Sequence, residues 1–541
     1  MITPTADPFD TTAPSGVFIQ AGPDDRPAPA SQQGATWSWG ATVVDLDHPA
    51  TGGLRIGLRS TGEVSRIVLR WATPLPERLL VLGDAWERSY AELGWQHLRP
   101  ERLLPWYWLG TDPLSGQTIG AGVEVRPAAF CCWTVDRSGV SLWLDVRNGG
   151  SALQPGDRWI DLARVRSVRG TDALPIVQRR LVDAMVDGAR PTSYQPLVGA
   201  NNWYYAYGVG FDRDAVLGDA RTVVELSDGH PVRPFSVIDD GWNPGGPGSG
   251  GPWDAGTPGV FDDMAQIAGE ITDLGARPGL WFRPLRSRNE EDRGLAIPRP
   301  DTEDGIALDP TLPQVRARVA DDLARFRDWG FELIKHDFST DDIFGRFGPA
   351  MGMGLTDPGW SFADRSRTNA EIINTFYDLI RDAAGDALVL GCNTVGQLAA
   401  TVVDAQRTGD DTSGRDWERT RRMGVNTLAH RLPQHRRFFT LDADCVPCTT
   451  QVPWALNRQF LDLVARSGTA LFVSVDPAAR TDQTDADMAA AIKIALDGGA
   501  VPDRPDEVEP LDALYASTPV DWRFGDAEVR YDWSDDFGAR P

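Results

Sequence analysis

Residues two apart on a β-strand project from the same face. Lys335 and Asp337 stand so in Phe331-Glu332-Leu333-Ile334-Lys335-His336-Asp337-Phe338, a short apolar run that ends in charge. An ammonium beside a carboxylate keeps it ionised, and an ionised carboxylate in a pocket is a nucleophile. The chain holds only two lysines, Lys335 and Lys493, and every other strong base is arginine. A position that retains lysine here calls for a compact ammonium. The competing reading is an ordinary strand-end ion pair. His336 projects to the opposite face and reads as a packed histidine rather than a catalyst.

Other carboxylates fall where they would join Asp337. Asp239 and Asp240 end an apolar run, Asp411 stands four residues after Arg407, and Asp442 and Asp444 close a later one. A ring of carboxylates without a histidine cluster suggests glycosidic bond cleavage, which uses one carboxylate on the anomeric centre and another to protonate the leaving oxygen. Asp337 is the candidate nucleophile. Asp411 is the candidate acid, with its pKa expected to be raised by the neighbouring charges of Asp410 and Asp337. Asp239 and Asp240 offer acceptors to sugar hydroxyls, and Trp203 and Trp281 offer flat faces to sugar rings.

These residues need elements to hold them. From about Val198 onward, strand-like runs alternate with helix-periodic stretches, giving eight strand–helix units, the pattern of a (β/α)8 barrel. The carboxyl ends of its strands carry Trp203, Asp239 and Asp240, Trp281 and Arg283, Lys335 and Asp337, Cys392 and Asn393, Arg407 and Asp411, Asp442 and Asp444, and Asp476. Active sites of such barrels lie at those ends. The barrel is expected over residues 191–500. Before it, residues 34–190 alternate over short runs separated by turn signals, which predicts a β-sandwich. Residues 1–33 are read as a loose arm and residues 501–541 as a small C-terminal β region. Two aromatic and charged segments in the sandwich, 83–90 and 105–108, are expected either to face a neighbouring domain or to form local turns. A Gly-rich loop over 341–360 is expected to cover the site or form its leaving-group side, or else to make an oligomer contact.

At 541 residues the chain is long enough for two or three domains, and its 41% hydrophobic content can fill a large core. A net charge of −24 argues against nucleic acid and anionic membranes as partners. No run of about 18 apolar residues predicts a membrane span. The first residues lack a secretory pattern, and five cysteines make no disulfide framework, so a cytoplasmic protein with reduced thiols is expected. The lone CxxC of Cys445 and Cys448 has no second pair to complete a zinc site.

The motifs Asp239-Asp240-Gly241-Trp242, Gly279-Leu280-Trp281 with Pro284, Lys335-His336-Asp337, Cys392, and Arg407 with Asp411 come in an order that resembles the α-galactosidase clan of retaining glycoside hydrolases. Family 36 is the nearer resemblance and family 27 the more distant. The resemblance implies Asp337 as nucleophile, Asp411 as acid/base, and Asp239 and Asp240 as acceptors for the 4- and 6-hydroxyls of a terminal α-galactoside. It implies Lys335, Arg407, Trp203, Trp281 and Cys392 as sugar contacts, with no cofactor and no metal. Members of family 36 are often oligomers, so a homo-oligomer is admitted. The chain departs from the family pattern after Cys392, where Asn393-Thr394-Val395-Gly396-Gln397 replaces a glycine-rich run, and at Arg283 beside Pro284. Arg283 is expected to pair with a rim carboxylate such as Asp239, or to reach an unusual substrate group. Asp442 and Asp444 are expected either to buttress Arg407 or to line the pocket. β-L-Arabinopyranose and N-acetylgalactosamine are alternative sugars. A Mg²⁺- or Ca²⁺-dependent enzyme using the same carboxylates, and a sugar-binding protein without turnover, are alternatives of a different class.

Overall fold

The computed structural model describes residues 9–186, 194–299, 305–535 and 538. The boundary expected between 190 and 191 lies outside them.

Eight parallel strands carry the site: Val198–Asn201, Phe235–Ile238, Arg277–Phe282, Leu333–His336, Leu388–Gly391, Ala405–Arg407, Thr440–Asp442 and Leu471–Val475. A ninth, Val446–Cys448, pairs with the far edge of Leu471–Val475. Neighbours in sequence are neighbours in the sheet through the first seven, and the last pairs back onto the first, with Val198 opposite Leu471. The sheet is curled, and one parallel bridge, Asp442 to Ala470, joins the seventh strand to the start of the eighth. The strands are buried throughout and rich in Val, Leu, Ile and Phe, as parallel strands covered on both faces must be.

The helices between them start where the sequence caps them. Asp212 accepts from Ala215 N and Asp263 from Gln266 N, and Thr368 forms a reciprocal capping box with Glu371. The first strand differs from expectation. It ends at Asn201, and Trp203 opens the short helix Trp203–Ala206 instead of closing the strand. The Asn201 side chain accepts from Trp203 N at 2.9 Å, which turns the chain out of the sheet.

Two antiparallel sheets precede the parallel one, of six and nine strands. Residues 1–8 of the expected loose arm lie outside the described residues, but the rest is ordered. Gly16–Gln20 pairs antiparallel with Arg66–Trp71 over five residue pairs. Phe9 is fully buried, edge-on to Trp71 at 6.0 Å and to Trp108 at 5.7 Å, one from each sheet. An apolar ring between two sheets gains more from burial than an arm gains from freedom.

After the parallel sheet, Val508–Pro510, Asp521–Phe524 and Ala527–Arg530 form a three-stranded antiparallel sheet. Its Trp522 is buried in one cluster with Phe460 and Val464 of the helix Trp454–Ser467. Within the expected C-terminal β region, residues 513–515 form a turn instead of a strand.

The aromatic and charged segment 83–90 faces the parallel sheet. Ser89 pairs with Gly409, and Arg431 reaches back to donate to Asp84 Oδ1 at 2.6 Å and to Glu87 O at 2.6 Å. The loop 341–360 is held by the antiparallel sheets of its own chain. Trp86 Nε1 donates to Gly352 O and Arg66 to Met353 O, each at 2.9 Å.

Candidate active site

The acidic pair at the second strand end sits in a fixed backbone. Gly241 has φ of +111°, and a Cβ there would stand 2.2 Å from Gly208 O. Only glycine fits, which fixes where the preceding carboxylates point. Asp239 accepts from Lys335 Nζ at 2.7 Å and from Asn201 Nδ2 at 2.6 Å, and its backbone N–H donates to Asn202 Oδ1. Asp240 accepts from Gly248 N at 2.8 Å through Oδ2, while its buried Oδ1 has no partner. Burial, partly offset by the Gly248 N–H and reinforced by the charges of Asp239 and Asp337, pushes the Asp240 carboxyl up to about 7.

Lys335 therefore does not bond Asp337, as the strand spacing suggested. Its direct partner is Asp239. Burial opposes its charge, but the carboxylates of Asp239 and Asp337 hold the ammonium well above its ordinary value. Asp337 takes its hydrogen bonds elsewhere, from Trp281 Nε1 at 2.9 Å and from Phe338 N at 2.7 Å. Phe338 has a left-handed φ of 62°, so the chain turns immediately after the carboxylate. Trp281 is fully buried, and its indole acts here as a hydrogen-bond donor to Asp337.

Asp411 lies across the site and is gripped by two arginines on one oxygen. Arg407 Nη2 and Arg88 Nη1 each stand 3.1 Å from Oδ1. Among the described residues Oδ2 carries no hydrogen bond, and the side chain is 37% exposed, the most open of the site carboxylates. Burial raises its pKa, but Arg407, Arg88 and Lys335 outweigh that and hold it down at about 2. The expectation of a raised acid is thus reversed. The carboxylates Asp410 and Asp337 do not dominate, because two guanidinium groups contact Asp411 directly, and Asp410 is itself occupied by Arg419 at 2.5 Å and Arg88 at 3.3 Å.

Arg407 is buttressed from behind by Asp444, at 2.9 Å. Asp444 in turn accepts from Tyr204 OH and Thr412 N, which holds it against the arginine. Cys392 lies 3.9 Å from Arg407 Nη1, with its thiol pushed well up by burial. Arg283 is not paired with Asp239. It makes a two-pronged bond to Asp342, at 3.0 and 2.8 Å, and lies over the Phe338 ring at 4.2 Å. This locks the turn after Asp337 and commits the guanidinium to the protein. Asn393, with its amide oriented to satisfy both neighbours, donates to Glu87 Oε2 and accepts from Arg88 Nη2, each at 3.0 Å. It too supports the site from behind. Trp203 is half-buried beside Tyr207, with ring centroids 5.8 Å apart.

His336 faces away from these groups. It is packed edge-on to Phe376 and Tyr377, and burial depresses its pKa to about 3. The five cysteines are free and buried. Among the described residues, no group of three His, Cys, Asp or Glu side chains is placed to hold a metal ion.

Residues that sequence reasoning missed are Arg88, Asn201, Asn202, Tyr204 and Asp342. Arg88 lies in the segment 83–90 already marked by its mix of aromatic and charged residues, which was the available signal. The others are second partners of residues already singled out.

A curled parallel α/β sheet with acidic strand ends, behind two antiparallel sheets, defines a fold class with solved members. The α-galactosidase of Thermus thermophilus, in complex with p-nitrophenyl α-D-galactopyranoside, is similar at a TM-score of 0.62 and 19% identity, covering 91% of this chain and 97% of its own. The galactosidase domain of an α-galactosidase–sucrose kinase is similar at 0.58 and 14%, over 92% and 74%. The family 36 α-galactosidase AgaB of Geobacillus stearothermophilus is similar at 0.56 and 13%, over 93% and 73%. This chain shares their fold. No protein-family model and no curated sequence matches it.

Proposed function

We propose that the protein is a retaining exo-α-glycosidase of α-galactosidase type, built on a (β/α)8 barrel behind a β-sandwich. The observation that carries this reading is the Asp239–Asp240 pair. A buried carboxylate oxygen without a partner, Asp240 Oδ1, costs about 1–3 kcal/mol. A ligand rich in O–H donors relieves that cost. Asp337, bonded only by N–H donors, attacks the anomeric carbon as the bond to the leaving oxygen breaks. Asp411 gives that oxygen a proton. Water, deprotonated by Asp411, then displaces Asp337 and frees the sugar.

Asp411 at about 2 is ready for the second step and not for the first. Substrate changes its surroundings. A sugar excludes water from Oδ2, and the glycosidic oxygen offers a hydrogen bond to the protonated carboxyl alone, both of which raise its pKa. The likeness to α-galactosidases supports a galacto-configured sugar. The commitment of Arg283 to Asp342 removes the reason to look for an anionic one.

The test is hydrolysis by purified protein of p-nitrophenyl α-galactoside, α-N-acetylgalactosaminide, β-L-arabinopyranoside and α-glucoside. Cleavage of the α-galactoside above the others supports the reading. Cleavage of none, by folded protein, refutes it.

A further inference from the structure

The loop that carries Asp411 and the segment that carries Arg88 lie far apart in the chain, and one side chain is bonded to both. Arg431 is 4% exposed. Its Nη1 donates at 2.6 Å to Thr408 O, three residues before Asp411. Its Nη2 donates at 2.6 Å to Glu87 O, one residue before Arg88, and its Nε donates at 2.6 Å to Asp84 Oδ1. Each of the three nitrogens of one guanidinium thus has its own acceptor, an arrangement that only a planar fork can meet.

Arg431 is itself held. It closes the helix Asn426–Arg431, which continues from a π-helical turn over Arg421–Val425. A Cβ on Gly424 in that turn would stand 2.3 Å from the Phe460 ring, so the turn lies directly against the helix Trp454–Ser467. The same helical run, residues 417–431, grips the loop on both sides of Asp411. Thr427 Oγ1 donates to Thr408 Oγ1 at 3.0 Å, and Thr420 Oγ1 accepts from Ser413 N at 3.1 Å. The loop is therefore fixed by bonds of its own. The segment 84–89 is joined to this frame through Ser89, whose backbone pairs with Thr408 and Asp410, through Arg88, and through Arg431.

We propose that Arg431 is a positioning residue for proton transfer, which holds Arg88 at its contact with Asp411 and so acts on the candidate acid without touching it. This rests on the reading of Asp411 as the acid. Arg88 needs such a hold, because among the described residues its buried Nε has no hydrogen-bond partner and its own bonds leave one edge of the guanidinium unfixed.

The first experiment follows the carboxyl carbon of Asp411 by NMR against pH in the free protein. It needs no substrate, so it is decided whether or not the protein cleaves a glycoside. Arg431→Lys keeps the positive charge beside Asp84 and loses the fork. The titration midpoint of Asp411 should rise by about one pH unit in this variant, as Arg88 leaves its place. In an Arg88→Gln background the same substitution should add nothing, since its route is gone. A merely structural role lowers stability and leaves the midpoint where it was. An unchanged midpoint in folded Arg431→Lys overturns the proposal, and so does an equal rise in both backgrounds. If Arg431→Lys does not fold, Asp84→Asn decides. Loss of that negative charge by itself moves the midpoint down, whereas a loosened Arg431 moves it up, so a fall or no change overturns the proposal. The second experiment uses substrates. In Arg431→Lys, kcat/KM on methyl α-galactoside should fall about tenfold more than kcat/KM on p-nitrophenyl α-galactoside, whose leaving group needs little protonation. Equal falls overturn the role in proton transfer. Wild-type silence on both substrates overturns the glycosidase reading, and the titration then still decides whether Arg431 holds Arg88.

Discussion

Lys335 Nζ donates to Asp239 Oδ2 at 2.7 Å, joining the fourth parallel strand to the end of the second. The bond is buried, with side-chain exposures of 11% and 3%. It ties the ammonium of the candidate nucleophile's strand to one carboxylate of the acidic pair proposed to meet the sugar. One cation thus serves two tasks, fixing Asp239 directly and lending its field to Asp337 from the side.

Lys335→Met should therefore damage more than catalysis. It leaves a buried Asp239 without its cation, a loss on the order of 3–5 kcal/mol. Lys335→Arg should not restore activity, because a planar guanidinium does not fit the site of a compact ammonium. Thermal unfolding and hydrolysis rates measured on both variants check this. Unchanged stability in Lys335→Met would remove the pairing from the account.

The two candidate catalytic carboxylates should separate by leaving group. Asp337→Ala is expected to abolish turnover of every substrate, activated aryl glycosides included. Asp411→Ala should lose about 10²–10⁴-fold on substrates with poor leaving groups and much less on those whose leaving group needs no proton. Added azide should rescue Asp411→Ala by attacking the glycosyl-enzyme without a base. Equal losses on both kinds of substrate, with no rescue, would contradict the assignment.

The sequence made the parallel strands legible because apolar runs ending in charge are what a sheet covered on both faces and open at one end requires. Leu333 and Ile334 followed by Lys335 show it within three residues. It did not make the partners legible. Strand spacing puts Lys335 and Asp337 on one face, yet the choice between Asp337 and Asp239 depends on the neighbouring strands. Arg88 meets Asp411 across 323 positions of chain, and no local period reports such a contact. The expected acidity of Asp411 came out reversed for that reason. Its like-charged neighbours are adjacent in sequence, whereas one of the two guanidinium groups that outweigh them comes from the antiparallel sheets. The loose arm failed similarly, since the partner of Gly16–Gln20 is a strand some fifty residues on.

Arg88 gives a pH prediction. The folded-state pKa of Asp411, at about 2, lies below the ordinary aspartate value of about 3.9. The grip of the arginines therefore adds stability above that ordinary value, and the contribution is lost as pH falls through about 2. Arg88→Gln removes one of the two charges, so the Asp411 pKa rises. The limb of the Asp411 carboxyl carbon's NMR shift against pH in the free protein should move to higher pH in this variant. Arg88→Lys should keep it near the wild-type position. A limb that stays in place in Arg88→Gln would show that Arg407 alone sets the acidity.

His336 supplies a prediction of the opposite sign. Its pKa is depressed to about 3, below the ordinary imidazole value of about 6.5, so between those values the unfolded chain binds a proton that the folded chain refuses. The residue therefore subtracts stability progressively as pH falls below about 6.5. The raised carboxyls of Asp240 and Glu87 act in the other direction, so the pH dependence of the whole protein mixes the two. A difference between variants isolates the histidine. Its buried Nε2 has no partner, so His336→Leu forfeits no hydrogen bond there. Relative to wild type, this variant should gain about 2 kcal/mol on going from pH 6.5 to pH 5, at 1.36 kcal/mol per unit. Chemical denaturation at the two pH values measures it. A difference that does not change with pH would mean that His336 is protonated in the folded protein, and its packing against Phe376 and Tyr377 would then need a counter-charge.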